Sequence, residues 1–108
     1  MDNSTKKVYN LLKSTSRKVY QNEPDVKSDL PCITFYIAND VPQVGLDKDI
    51  KKQDIEVVVD FWGKDSKITG EMFREIEAVM RANGFILSFN TAINESDDYS
   101  HVNTRFIY

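Results

Sequence analysis

Cysteine occurs once in this chain, at Cys32, and histidine once, at His101. A single thiol excludes an intrachain disulfide and is compatible with a reducing compartment. One cysteine and one histidine do not supply the usual ligand set of a zinc site. The four glycines are scattered, so no phosphate-cradling loop is encoded. No apolar run approaches the roughly 20 residues of a membrane-spanning helix. The opening MDNSTKKVYN lacks the apolar core of a secretory signal, and the expectation is a soluble intracellular protein. A formal net charge of −3 gives no basic excess of the kind that marks a nucleic-acid or acidic-membrane surface. What is present is an ordinary globular mixture, 41% apolar and 29% charged over 108 residues, enough for a single domain spanning 1–108.

The most ordered pattern runs from Asp54 to Phe85. Ile55, Val57, Val59 and Phe61 alternate with Asp54, Glu56 and Asp60, while Val58 and Trp62 interrupt the polar set. Period two predicts a strand with one buried face. Gly63-Lys64-Asp65 breaks it. From Ser66 the period becomes three and four, and Ile68, Met72, Ile76, Val79 and Met80 form one helical stripe. Asp65 or Ser66 is placed to cap the helix start. Asn83-Gly84 is placed to end it, with Phe85 folding back on the last turn. Strand face and helix stripe are expected to cover each other.

The other elements are shorter. Asp2 to Ser14 predicts a first helix, capped by Asn3 or Ser4, with Val8, Leu11 and Leu12 as its stripe and Tyr9 beside it. A helix this short is marginal alone and must dock. Lys18-Val19-Tyr20 can form a short strand, and Asn22-Glu23-Pro24-Asp25 a turn. Cys32 to Ala38 predicts a strand that follows Pro31, with Ile33, Phe35 and Ile37 on one face and Thr34, Tyr36 and Ala38 on the other. Asn39 to Lys48 is expected to be a mobile connection, although Val41, Val44 and Leu46 call for strand extension or for packing on something. Phe85, Leu87 and Phe89 are predicted to share one strand face. Asn90 to Ser100 reads as a polar, acidic connection, of which Ile93 to Ser100 is expected to be mobile. It leads to a last strand, His101 to Tyr108, with Val102, Thr104, Phe106 and Tyr108 on one face. The class is α+β, a mainly antiparallel sheet of about four to five strands with the N-terminal helix and a longer helix packed on one face.

Reactive constellations are thin. Cys32 and His101 could form a nucleophilic pair of a small hydrolase, but a cysteine at a strand start is most often a small packed hydrophobe. Glu95, Asp97 and Asp98 lack the alternating oxygens and fixed glycine of a calcium loop and read as a solvated acidic turn. Asp54, Glu56 and Asp60 read as exposed charges on a wet sheet face, and Lys51-Lys52 as a solvated edge. Trp62 either packs under the loop that follows it or sits at a subunit interface. No catalytic residue, cofactor or metal is expected.

Taken in order, the segments resemble the small tail-completion or tail-terminator proteins of long-tailed bacteriophages and prophages. The matching features are an amphipathic N-terminal helix, an apolar strand after a proline (LPCITFYI) and a strand ending in Asp-Phe-Trp (VVVDFW). A helix closing in Asn-Gly-Phe (ITGEMFREIEAVMRANGF), an acidic Asp-Tyr loop with a histidine (DDYSH) and an Arg-Phe strand (TRFIY) follow. The resemblance spans nearly the whole chain. It implies a non-enzymatic virion protein, made in the bacterial cytoplasm and placed at the head-proximal end of the tail. There it would form a homo-oligomeric ring that stops polymerisation of the tail tube protein and joins the tail to the head connector. On the chain itself, the surfaces left for assembly are the Val41, Val44 and Leu46 segment, the Trp62 corner, and charged edges at Lys48, Lys51, Lys52, Asp54 and Glu56. From the residues alone, the alternative is a small α+β protein-binding module, monomeric or dimeric.

Overall fold

A computed structural model describes residues 3–21, 30–44, 50–96 and 99–108; for 3, 39–44, 50–54 and 93–96 it describes the backbone alone. The elements are α1 (Asn3–Lys13), β1 (Val19–Gln21), β2 (Cys32–Val44), β3 (Ile50–Gly63), α2 (Ser66–Ala82), β4 (Ile86–Ser96) and β5 (Tyr99–Ile107). The five strands form one sheet in the order β1-β2-β3-β5-β4. β1 runs parallel to β2, and the other neighbours are antiparallel. The fold is therefore α+β with a mainly antiparallel sheet.

β3 sets the core. Its alternating Ile55, Val57, Val59 and Phe61 are buried on the face toward the helices, where α2 brings Met72, Ile76 and Met80 and α1 brings Val8 and Leu12. Phe61 and Phe73 meet edge to face with centroids 6.1 Å apart. Val79 does not join this cluster and is only half-buried; Ile68 and Phe73 pack against it instead. Val79 lies about 60° around the helix from Ile76, at the rim of the stripe.

The two ends of α2 follow from local chemistry. The Asp65 carboxylate accepts from the Ile68 amide at 3.0 Å, an N-cap that satisfies an orphan donor. At the other end Gly84 has φ +92, its amide donates to Arg81 at 3.1 Å, and the Phe85 amide donates to Met80 at 3.0 Å. This paired closure needs the left-handed residue that glycine supplies, and it delivers Phe85 into the core. Gly63 lets the helix start crowd the end of β3: a Cβ there would lie 3.1 Å from Ile68 Cγ2 and Thr69 Cγ2.

Three expectations are corrected. Asn39–Val44 is strand rather than loop, laddered on Ile50–Glu56; Asn39, Asp40 and Pro42 are poor strand formers, and only the distant partner strand overrides them. Asn90–Ser96 likewise continues β4 rather than forming a loop, and β5 begins at Tyr99. Phe89 does not share a face with Leu87. The register shifts between them, so Leu87 lies opposite Phe106 and Phe89 opposite Arg105. One extra residue in a strand moves every later side chain to the other face. Leu46, Lys48, the Asn22–Asp25 turn and the Asp97-Asp98 pair lie outside the described residues.

Arg17 clamps the segment after α1 to α2 by a forked contact on Glu75, Nε to Oε1 at 3.0 Å and Nη2 to Oε2 at 2.7 Å. The hydrogen bond from Arg17 outweighs desolvation and holds the Glu75 carboxyl below its ordinary range. A depressed carboxyl stabilises the fold above its unfolded pKa, and that contribution is lost as pH falls through the folded value. Glu75 is largely exposed, and solvent screening limits such pairs to about 1 kcal/mol or less. Glu75→Gln is thus expected to lower stability slightly at pH 7 and to match the wild type at pH 3, read by urea titration at both pH values.

Candidate functional site

Both helices lie on one face of the sheet, and the register defines what stands on the other. Cross-strand rows run Cys32–Trp62–His101, Thr34–Asp60–Asn103 and Tyr36–Val58–Arg105–Phe89. Within these rows the polar side chains bond along diagonals and between direct neighbours. Asp60 Oδ1 takes both His101 Nε2 and Asn103 Nδ2 at 2.7 Å. Trp62 Nε1 donates to Thr34 Oγ1 at 3.0 Å. Arg105 Nη1 reaches Glu56 Oε1 at 2.6 Å.

Trp62 is covered by its own chain. Its indole stacks on the His101 ring with centroids 3.7 Å apart and a 10° interplanar angle, and Tyr99 tilts against it at 5.9 Å. Cys32 completes this second apolar cluster, with Tyr20 and Leu30 at its margin. Trp62 retains 5% of its surface, so little of the ring remains for a partner. The expected cover from the loop that follows Trp62 is not what is observed: the ring packs against the start of β5 and Cys32.

Asp60 is not a wet-face charge. It is mostly buried, and its two donors come from the neighbouring strand two residues apart. A carboxylate held by a histidine is the arrangement of an acid–base dyad. Here the imidazole side chain is 8% exposed and its Nε2 is turned to Asp60. Trp62 stands between Cys32 and His101 in the register, which separates their Cα atoms by two strand spacings, about 9–10 Å. The network serves to lock β3 to β5. Asp60→Ala takes the acceptor from His101 Nε2 and Asn103, and a buried donor left without its acceptor costs about 1–3 kcal/mol. A loss of that size in denaturant midpoint is expected, with Asp60→Asn intermediate.

The sequence-derived assembly residues are not brought together into one patch. Val41, Val44, Lys51, Lys52 and Asp54 lie on the paired ends of β2 and β3, Glu56 is tied to Arg105, and Trp62 is buried at the opposite end of β3. What the backbone does assemble is an arm. β5 pairs with β3 only as far as Glu56, where Ile107 is its partner, and Tyr108 closes on Ile55. Beyond that point, among the described residues, Ile50–Asp54 pairs with β2 alone, through Val41↔Asp54, Pro42↔Gln53, Gln43↔Lys52 and Val44↔Ile50. This two-stranded ribbon adds about 16 Å beyond the five-stranded sheet. Sequence reasoning missed both the arm and the Asp60 network. The traces available were the β-branched Val41 and Val44 in a supposed loop, and the i, i+2 spacing of His101 and Asn103.

The class so defined is a small α+β protein with a one-sided helical layer, a polar lock on the other sheet face and a projecting hairpin arm. Comparison with models of protein families finds no match, and comparison with curated proteins finds none.

Proposed function

We propose that this chain is a structural protein of the phage or prophage tail, closing into a homo-oligomeric ring at the head-proximal end of the tail tube and joining it to the head connector. The observation that carries the reading is the β2–β3 arm. An isolated two-stranded hairpin is at best marginally stable in water. An arm of this kind gains its stability from a surface to lie on, and a neighbouring subunit provides one. Contact between the arm of one copy and the body of the next is heterologous, and such contacts close into rings when the rotation permits. The ordered sequence segments that resemble tail terminators support the same reading. Each contact is small, and association costs an estimated 4–15 kcal/mol of lost freedom. The subunit is therefore monomeric or weakly associated when dilute and closes when concentrated or templated by a tube end. Sedimentation velocity over a wide concentration range, with negative-stain microscopy of the concentrated protein and of tails, tests this. Closed rings and capped tube ends are the expected result. A monomer at every concentration that leaves tube ends bare overturns it.

A further inference from the structure

The two edges of the sheet are not alike. On one side β1 has three residues and covers β2 only at Ile33–Phe35. Beyond it, β2 carries a register shift at Ala38 and a proline, Pro42, set opposite Gln53. Short edge strands, bulges and proline are the devices by which edges are kept from pairing. On the other side β4 runs for eleven residues with β5 as its only neighbour among the described residues. From Ile86 to Asn94 it contains no charged residue and no proline. Its ladder with β5 has two irregularities, between Leu87 and Phe89 and between Ile93 and Ser96, which leave Phe89–Ile93 as the regular stretch, centred on Thr91. Ile86 is 71% exposed and Phe89 51% exposed, and Ser88, Asn90, Thr91 and Ala92 are exposed as well.

The direction of the free backbone groups follows from the ladder. Ile55 and Tyr108 exchange both backbone hydrogen bonds. In an antiparallel ladder such pairs alternate, so Phe106, Thr104 and Val102 face β3, and Arg105, Asn103 and His101 face β4. The residues opposite the latter on β4 are Phe89, Thr91 and Ile93. Asn90 and Ala92 therefore aim their N–H and C=O groups away from the sheet.

We infer that β4 is a self-pairing edge, at which a second copy of this chain adds antiparallel about a two-fold axis through Thr91. This register lets Asn90 of each copy exchange both backbone hydrogen bonds with Ala92 of the other. It places Phe89 opposite Ile93 of the second copy, an aromatic–β-branched pair of the favoured kind. In this register the regular stretch Phe89–Ile93 pairs wholly with itself, whereas centring the axis on Asn90 would set Ala92 and Ile93 against Ser88 and Leu87, across the first irregularity, and centring it on Ala92 would set Phe89 against Glu95, across the second. The absence of charge from Ile86 to Asn94 means that no like charges meet when the strand faces itself. Since the other edge is blunted, a second copy is the occupant that β4 matches in length, polarity and neutrality. The contact is isologous and lies across the sheet from the arm, so it stands or falls independently of the ring.

The test uses Thr91→Cys in the full-length chain, where native Cys32 is fully buried. Opposed residues that do not exchange hydrogen bonds have Cα atoms about 4.5 Å apart, within disulfide reach. Mild oxidation is expected to give a disulfide-linked dimer, with none from Lys67→Cys on the exposed side of α2. Ala92→Pro removes only an outward donor and is expected to weaken dimerisation by roughly tenfold or more in sedimentation equilibrium, with the circular dichroism unchanged. Three results overturn the inference: cross-linking of Thr91→Cys no faster than that of Lys67→Cys, a wild-type chain that stays monomeric and binds only strands of other proteins, or a dimer that survives Ala92→Pro and is lost in Val44→Asp.

Discussion

Phe61→Ala is expected to remove about 3–5 kcal/mol of folding stability, the usual range for truncating a buried aromatic ring. The ring is fully buried on β3 between the sheet and α2, and it meets Phe73 edge to face. Its removal deletes apolar contact on both sides and leaves a cavity that two packed layers cannot close. Domains of this size hold only about 5–15 kcal/mol in total, so the variant should melt far below the wild type. Val79→Ala is the control. Val79 belongs to the same helix but lies outside the core cluster, and its truncation should cost about 0.5 kcal/mol or less. Urea titration of both variants separates the stripe from its rim. Equal losses would mean that the helix is rotated from the position described.

Val44→Asp is expected to abolish ring formation and leave the fold intact. Val44 is the last residue of β2, paired with Ile50 at the far end of the arm, distant from the Val57–Val59–Phe61 core. At the far end of the ladder from that core, the substitution should barely move the circular dichroism and the melting midpoint. In a closed ring the new carboxylate would lose water without a partner charge, which costs several kcal/mol. Small heterologous contacts do not survive such a loss. Leu46→Asp should act in the same way. Tails assembled with either variant should be uncapped and variable in length under negative stain. Normally terminated tails of uniform length from both variants would remove the arm as an assembly element.

Patterns carried by neighbouring residues were legible. The Ile55–Phe61 alternation, the Met72–Met80 stripe, the Asp65 cap and the Asn83-Gly84 closure all depend on separations of five residues or fewer, and all are present. What depended on pairing across the chain was not legible. Asn39–Val44 looks like a loop until Ile50–Glu56 lies beside it. Phe89 looks like a core residue until one extra residue near Ser88 turns it over. Asp60 looks solvated because its donors, His101 and Asn103, are more than forty positions away. Sequence spacing specified neither register nor irregularity, and the candidate site is made of both.

β5 is the last strand in the chain but an inner strand of the sheet, between β3 and β4. This order has a consequence during synthesis. When Ser96 leaves the ribosome, the helices and the first three strands have all been made, and β4 has as yet no strand beside it. β4 has no native partner on β3, because β5 lies between them in the sheet. A strand that carries Ile86, Leu87, Phe89 and Ile93 must wait unpaired until Tyr99–Ile107 emerges to join both sides, at a stage when unpaired strands are most prone to aggregate.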